Sequence, residues 1–245
     1  TSPMELNLTG KTAAVTGASE GIGKAIAEGL AEEGVDVAIC ARRIEPLEAT
    51  AKEIADKTGR KIVPIAADLT KDADAKTFIE TAAAELGGID IMVNNAGSAP
   101  GGVIEHLSEE DWDLALQLKF MGHVRCLRYA LPIMVKAGGG RVVNLIGNDG
   151  VKHSYWEIAP GAANAACQNL MKSLSSQYGK DGVSFCAVNP GPVRTERWAG
   201  LVKAMARDMK LSLEEADELA PSSIPLGRIA ETKEVADLVV FLASP

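Results

Sequence analysis

The feature that most constrains the fold is an alternation of two kinds of segment. Six short apolar runs, KTAAVTG, VDVAIC, KIVPIAAD, IDIMVNNAG, GRVVNLIG and VSFCAVNPG, are rich in Val, Ile and Ala and read as buried strands. Between them lie stretches of helical period over 21–33, 44–57, 71–86, 108–137 and 160–179. Strands that are apolar on both faces and joined by helical crossovers imply an α/β fold with a parallel sheet covered on both sides. Apolar residues make up 47% of the chain and aromatic residues only 4%, so the core is expected to be large and aliphatic. With no repeat, low-complexity tract or linker, residues 1–245 are expected to form a single doubly wound domain. Two short helical patterns, WAGLVKAMARDM and SLEEADELA, fall in an insertion near 195–223 placed to act as a helical lid.

Composition narrows the partners. The net charge is −8 with no basic tract, which argues against nucleic acid or an anionic membrane. No apolar run reaches the roughly 18 residues of a membrane span. The four cysteines, Cys40, Cys126, Cys167 and Cys186, form no C-x-x-C pair and read as buried, reduced thiols of a cytoplasmic protein. His106, His123 and His153 lack metal-ligand spacing, so no metal is expected. The start, TSPMELNLTGKTAAV, lacks the pattern of a secretory signal, and TSP ahead of Met4 reads as an appended remnant.

TGASEGIG, residues 16–23, follows the first strand and opens the first helix. Gly17, Gly21 and Gly23 let the backbone turn tightly and approach a pyrophosphate, while the helix N-terminus offers free N–H groups and a positive dipole end. The spacing T-G-x-x-x-G-I-G resembles that of the short-chain dehydrogenase/reductase family, and the resemblance runs along nearly the whole chain. It implies a Rossmann domain and a nicotinamide dinucleotide held by Gly17, Ser19, Gly21, Ile22 and Gly23. Asp68 in AADLT matches the family's adenine-contacting Asp, and Asn95, Ala96 and Gly97 of NNAG match the motif on the adenine-ribose side of the cleft. Pro190, Gly191, Val193 and Thr195 of NPGPVRT match the segment that packs on the nicotinamide, and PLGRIAETKEVADLVVFLAS matches the usual last helix. The resemblance also implies a further strand beyond Pro245. The second strand ends at Ala41, where NAD-preferring members carry an acid; Arg42 and Arg43 follow and suit a 2′-phosphate, pointing to NADP(H) over NAD(H), with Glu20 weighing against.

The family's catalytic Asn, Ser, Tyr and Lys are all replaced. Tyr and Lys, four apart at a helix start, fall on Pro160 and Asn164, and the Ser thirteen residues before the Tyr falls on Gly147. The Asn falls on Lys119. Lys and Asn have thus exchanged places: Lys119 is positioned to supply positive charge and Asn164 to face the nicotinamide ribose. A carbonyl reduction still needs a proton donor. The loop NDGVKHSYWEI supplies Tyr155 as the favoured donor, activated by Lys119 or Lys152, then His153, with Glu157 and Asp149 as further candidates.

The expectation is an NADP(H)-dependent oxidoreductase acting on a carbonyl, alcohol or other polarised double bond of a small molecule, with non-standard acid–base residues. The alternative is a catalytically silent member serving as partner or regulatory subunit. A non-redox enzyme on this scaffold ranks last, because relatives of that kind lose the glycine loop and keep Ser and Tyr. Lys119, Lys152 and Arg197 hint at an acidic substrate. The resemblance implies a homodimer or homotetramer through the family's helices four and five, here 108–137 and 160–179.

Overall fold

In the computed structural model, described over residues 5–97, 100–222 and 224–245, the six apolar runs become six strands. They are β1 (Thr12–Thr16), β2 (Asp36–Ala41), β3 (Ile62–Ala66), β4 (Ile91–Asn94), β5 (Gly140–Leu145) and β6 (Val183–Val188). All pair in parallel, in the order β3-β2-β1-β4-β5-β6. The chain therefore winds outward from β1 to one edge, crosses over to β4 and winds to the other. The crevice beyond the carboxyl ends of β1 and β4, where the winding reverses, is where such sheets bind ligands.

Side chains alternate between the two faces of each strand. Ala13, Val15, Val37, Ile39, Val93 and Val143 pack against α1 (Gly21–Glu32), α2 (Ile44–Thr58) and α9 (Thr232–Ala243). Ala14, Ala38, Cys40, Met92 and Val142 face the opposite layer of α3 (Asp72–Leu86), α5 (Met121–Lys136) and α6 (Ile158–Tyr178). Phe78 of α3 is the one aromatic residue among the largest fully buried side chains, so the core is aliphatic as its composition implied. Cys40, Cys126 and Cys167 are buried free thiols, whereas Cys186 on the edge strand β6 is only half-buried. Among the described residues no helix is long and apolar enough to cross a membrane.

One segment differs from the sequence-based expectation in an informative way. The expected helix over 108–137 is broken into α4 (Glu109–Leu114), a wide π turn (Ala115–Phe120) and α5. Ser108 starts α4 through a capping box, its hydroxyl accepting from Asp111 N–H at 3.2 Å while the Asp111 carboxylate accepts from Ser108 N–H at 2.9 Å. The π turn is braced from below by Arg125, whose guanidinium donates to the Gln117 carbonyl at 2.9 Å, to the Gln117 side chain at 2.6 Å and to the Leu69 carbonyl at 3.0 Å. A π turn inserts an extra residue and re-aims the side chains that follow. The insertion near 195–223 forms α7 (Glu196–Met209) and α8 (Leu213–Ser222), which share a small apolar cluster around Trp198, Val202 and Ala216.

Candidate active site

A cleft of about 1070 Å³ opens at the carboxyl ends of β1, β4 and β5. The glycine loop borders one end of it, with Ile22 on the cleft wall. Gly17 has φ +65°, and a Cβ there would lie 2.8 Å from the Ala96 backbone. A Cβ at Gly23 would lie 2.2 Å from the Gly17 carbonyl oxygen. These two glycines are needed for the loop to close on itself; Gly21, at φ +60°, faces more open space. The loop is latched to the end of β4: Thr16 Oγ1 accepts from both Asn95 N–H and Ala96 N–H at 2.9 Å, and Asn95 Nδ2 donates to the carbonyls of Thr16 and Gly17 at 3.1 and 3.0 Å. The first turn of α1 has neither a side-chain cap nor an acidic residue. Its N–H groups and positive dipole end are left for an anion.

The other expected cofactor residues divide between the cleft wall and positions outside it. Ile22, Asn95, Gly97, Asn164, Pro190, Gly191, Val193 and Thr195 line the cleft. Thr195 also caps α7, accepting from Trp198 N–H at 3.4 Å. Ser19 is fixed through its carbonyl, which accepts from Thr50 Oγ1 at 2.8 Å. Asp68 accepts from Thr70 N–H and Oγ1 at 3.1 and 2.7 Å. Burial pushes its pKa up, but those bonds, Lys71 and Arg42 outweigh it and hold the carboxylate ionised. Arg42 and Arg43 are exposed and form no salt bridge among the described residues.

The second half is built from the exchanged positions. Lys119 sits in the π turn and is only 7% exposed. Its stem lies over Gly97, where a Cβ would meet Lys119 Cγ at 3.0 Å. Among the described residues its amine makes no hydrogen bond or salt bridge, yet it lines the cleft. Burial, then Arg197, lowers its pKa; Asp149, Cys167 and Glu157 pull the other way. The Lys119 carbonyl accepts from Cys167 Sγ at 3.6 Å, and Cys167 Sγ also lies 3.7 Å from His123 Nδ1. His123, beneath Lys119, is driven down to about 3 by burial and by Lys119 and is a neutral imidazole.

Asn164 is 1% exposed. Its Nδ2 donates to Asp149 Oδ1 at 2.9 Å, while its Oδ1 is buried without a donor. The space for this pair exists because residue 147 is glycine: at φ +140° a Cβ there would lie 2.6 Å from both Asn164 Nδ2 and Asp149 Oδ1. Pro160 is buried in the first turn of α6, where its missing N–H costs nothing.

The structure separates the loop's candidate donors. Tyr155 is 72% exposed, packs edge-on against Trp156 and is not among the residues lining the cleft. Lys152 and His153 are exposed at the mouth of the cleft, and Asp149 and Glu157 are on its wall. Glu157 lies 3.8 Å from the guanidinium of Arg197 on α7. Burial, reinforced by Asp149, raises the Glu157 pKa against the pull of Arg197 and Lys119. Arg125 escaped sequence reasoning altogether, since its contact with Leu69 spans 56 residues and carries no local signal.

A family profile described as short chain dehydrogenase matches residues 11–206. The chain belongs to this family. It is 32% identical over 241 residues to the 3-oxoacyl-(acyl-carrier-protein) reductase FabG of Vibrio cholerae, covering 98% of this chain and 92% of that protein. It is 35% identical over 238 residues to the oxidoreductase UcpA of Salmonella typhimurium, covering 97% and 89%. The crystal structure of L-sorbose reductase from Gluconobacter frateurii, complexed with NADPH and L-sorbose, matches with a TM-score of 0.92 at 30% identity, covering 98% of this chain and 92% of that one. The chain is thus a short-chain oxidoreductase by family, on the family's Rossmann-like parallel sheet.

Proposed function

We propose that this short-chain dehydrogenase is an NADP(H)-dependent reductase of a carbonyl on a small molecule, with acid–base groups moved away from the family's usual positions. The observation that carries the reading is Lys119, a lysine only 7% exposed that lines the cleft and whose amine makes no hydrogen bond or salt bridge among the described residues. Burying most of a lysine is costly, and such groups cluster where they act on a bound ligand. The solved relative that carries NADPH supports the cofactor assignment.

The residues present fit such a cofactor. The uncapped start of α1, with Gly21, would hold the pyrophosphate. Arg42 and Arg43, free of salt bridges among the described residues, would take the 2′-phosphate. Asp68 would hold the adenine side, and Asn164 would offer its unpaired Oδ1 to a ribose hydroxyl. When bound, the reduced nicotinamide supplies hydride. Lys119 then places a positive charge beside the carbonyl oxygen as negative charge develops there. The proton comes from the 148–158 loop, from Glu157, His153 or, after a swing inward, Tyr155. The chain is read as one cytoplasmic domain that pairs with copies of itself through the α4–α5 run and α6, where Leu114, Leu116, Ala162 and Ala165 are exposed.

Steady-state NADPH oxidation over a panel of ketones tests this reading. Lys119→Met is expected to lower kcat about 100-fold or more. A wild-type chain that binds NADPH and turns over no carbonyl would refute it.

A further inference from the structure

We propose that Glu157 is the proton donor of this site and that the Asp149–Asn164 pair positions and tunes it, a proposal that rests on the reductase reading above. The geometry selects Glu157 from the loop. Tyr155 projects outward, and Lys152 and His153 are exposed at the mouth. Asp149 is committed to accepting from Asn164. Glu157 is half-buried on the cleft wall, its side chain 30% exposed, with its carboxyl making no hydrogen bond among the described residues.

Its backbone is fixed on both sides. Gly102 N–H donates to the Trp156 carbonyl at 2.6 Å, and residues 102 and 157 form a parallel bridge. Gly161 N–H donates to the Glu157 carbonyl at 2.7 Å as α6 begins.

The neighbours explain how a carboxyl can serve as the acid. The amide of Asn164 donates to Asp149 Oδ1 and fixes that carboxyl in the cleft wall. A second carboxylate nearby, in a partly desolvated wall, favours the protonated form of Glu157. Asn164, standing where the family has its lysine, thus acts on the proton donor through Asp149, and both are positioning residues. Gly147, in place of the family's serine, leaves the room they occupy.

The step balances. A hydride from the reduced nicotinamide forms the new C–H bond at the carbonyl carbon. The carbonyl π electrons move to oxygen, the Glu157 O–H bond breaks, and its proton completes the alcohol. The new carboxylate rests beside Arg197 and Lys119 until water at the cleft mouth reprotonates it. The charged groups acting on Glu157 are Asp149 of the loop, Lys119 of the π turn and Arg197 of α7, and Lys152 and His153 line the same cleft.

The test uses the full chain with NADPH and a ketone. Glu157→Gln is expected to lower kcat about 100-fold or more while leaving the NADPH Kd within about threefold. Glu157→Asp should recover part of the rate. The fall in kcat towards high pH should persist in His153→Ala and vanish in Glu157→Gln. A Glu157→Gln variant with near wild-type kcat, or the same loss in Tyr155→Phe, overturns the proposal. Isotope-edited infrared titration of the NADPH complex gives a readout independent of turnover. A protonated carboxyl band that persists above the ordinary glutamate range and disappears in Glu157→Gln supports the assignment. A Glu157 carboxyl that titrates in the ordinary range overturns it. An inactive wild-type chain with a raised Glu157 titration would instead sink the carbonyl-reductase reading alone.

Discussion

The two halves of the cleft have been treated differently. At the glycine loop, closure depends on backbone fit: Gly17 against Ala96, Gly23 against the Gly17 carbonyl, Thr16 latched to β4. At the other end, contacts among side chains do the shaping: Lys119 over Gly97, Asn164 on Asp149 in the space above Gly147. A backbone cradle tolerates almost no change of residue. A side-chain constellation tolerates wholesale change, provided the new members fit each other.

The sharpest way to break this contrast is Gly23→Ala. The added methyl meets a backbone oxygen at 2.2 Å and the Asn95 amide at 2.5 Å, so the loop has to open. A destabilisation of about 3 kcal/mol is expected, together with loss of NADPH binding. Chemical denaturation and cofactor titration check both; a well-folded variant that binds normally would show that the cradle is less exacting than it looks.

Gly147→Ser comes next, because it puts a side chain into the space that Asn164 and Asp149 share. Its Cβ would collide with Asn164 and Asp149, and φ +140° strains any side chain. A loss of 2 to 3 kcal/mol, roughly, with no gain in kcat is expected. A more active variant would mean that the standard machinery survives in latent form.

The rewritten half should also be the acid-sensitive one. His123 has a folded pKa near 3, against 6.5 when solvated, because burial and Lys119 disfavour its charged form. Between those values the unfolded chain binds the proton and the folded chain does not, so stability falls as pH drops from about 6.5 towards 3. Lys119 has the same sign: its lowered pKa adds stability only as pH rises towards the ordinary lysine value. Urea unfolding at pH 6.5 and 4.5 should differ by about 2 kcal/mol from His123, and His123→Leu should flatten that slope. The smallest effect is assigned to Tyr155→Phe. An exposed hydroxyl with no hydrogen bond among the described residues is expected to alter stability by less than about 0.5 kcal/mol.

Most of the scaffold was legible in the sequence because its signals are periodic or local. The six apolar runs gave the strands, and α1, α2, α3 and α6 begin and end within two residues of their periodic segments. Motif spacing singled out Lys119, Gly147, Pro160 and Asn164, and all four line one cleft. What could not be read depends on contacts without a period. The π turn arises where Arg125 reaches Leu69, and nothing in the helical pattern of 108–137 announces it. The bond between Asn164 and Asp149 spans fifteen residues across a loop, and the direction taken by each side chain of that loop has no repeat to reveal it. Hence the sequence favours Tyr155 over Glu157, and burial places them the other way round.

The interlock at Gly147 makes this part of the site a matched set. Any side chain at 147 strikes the group at 164, which in turn holds Asp149. An attempt to engineer a serine into position 147 therefore has to change 149 and 164 with it.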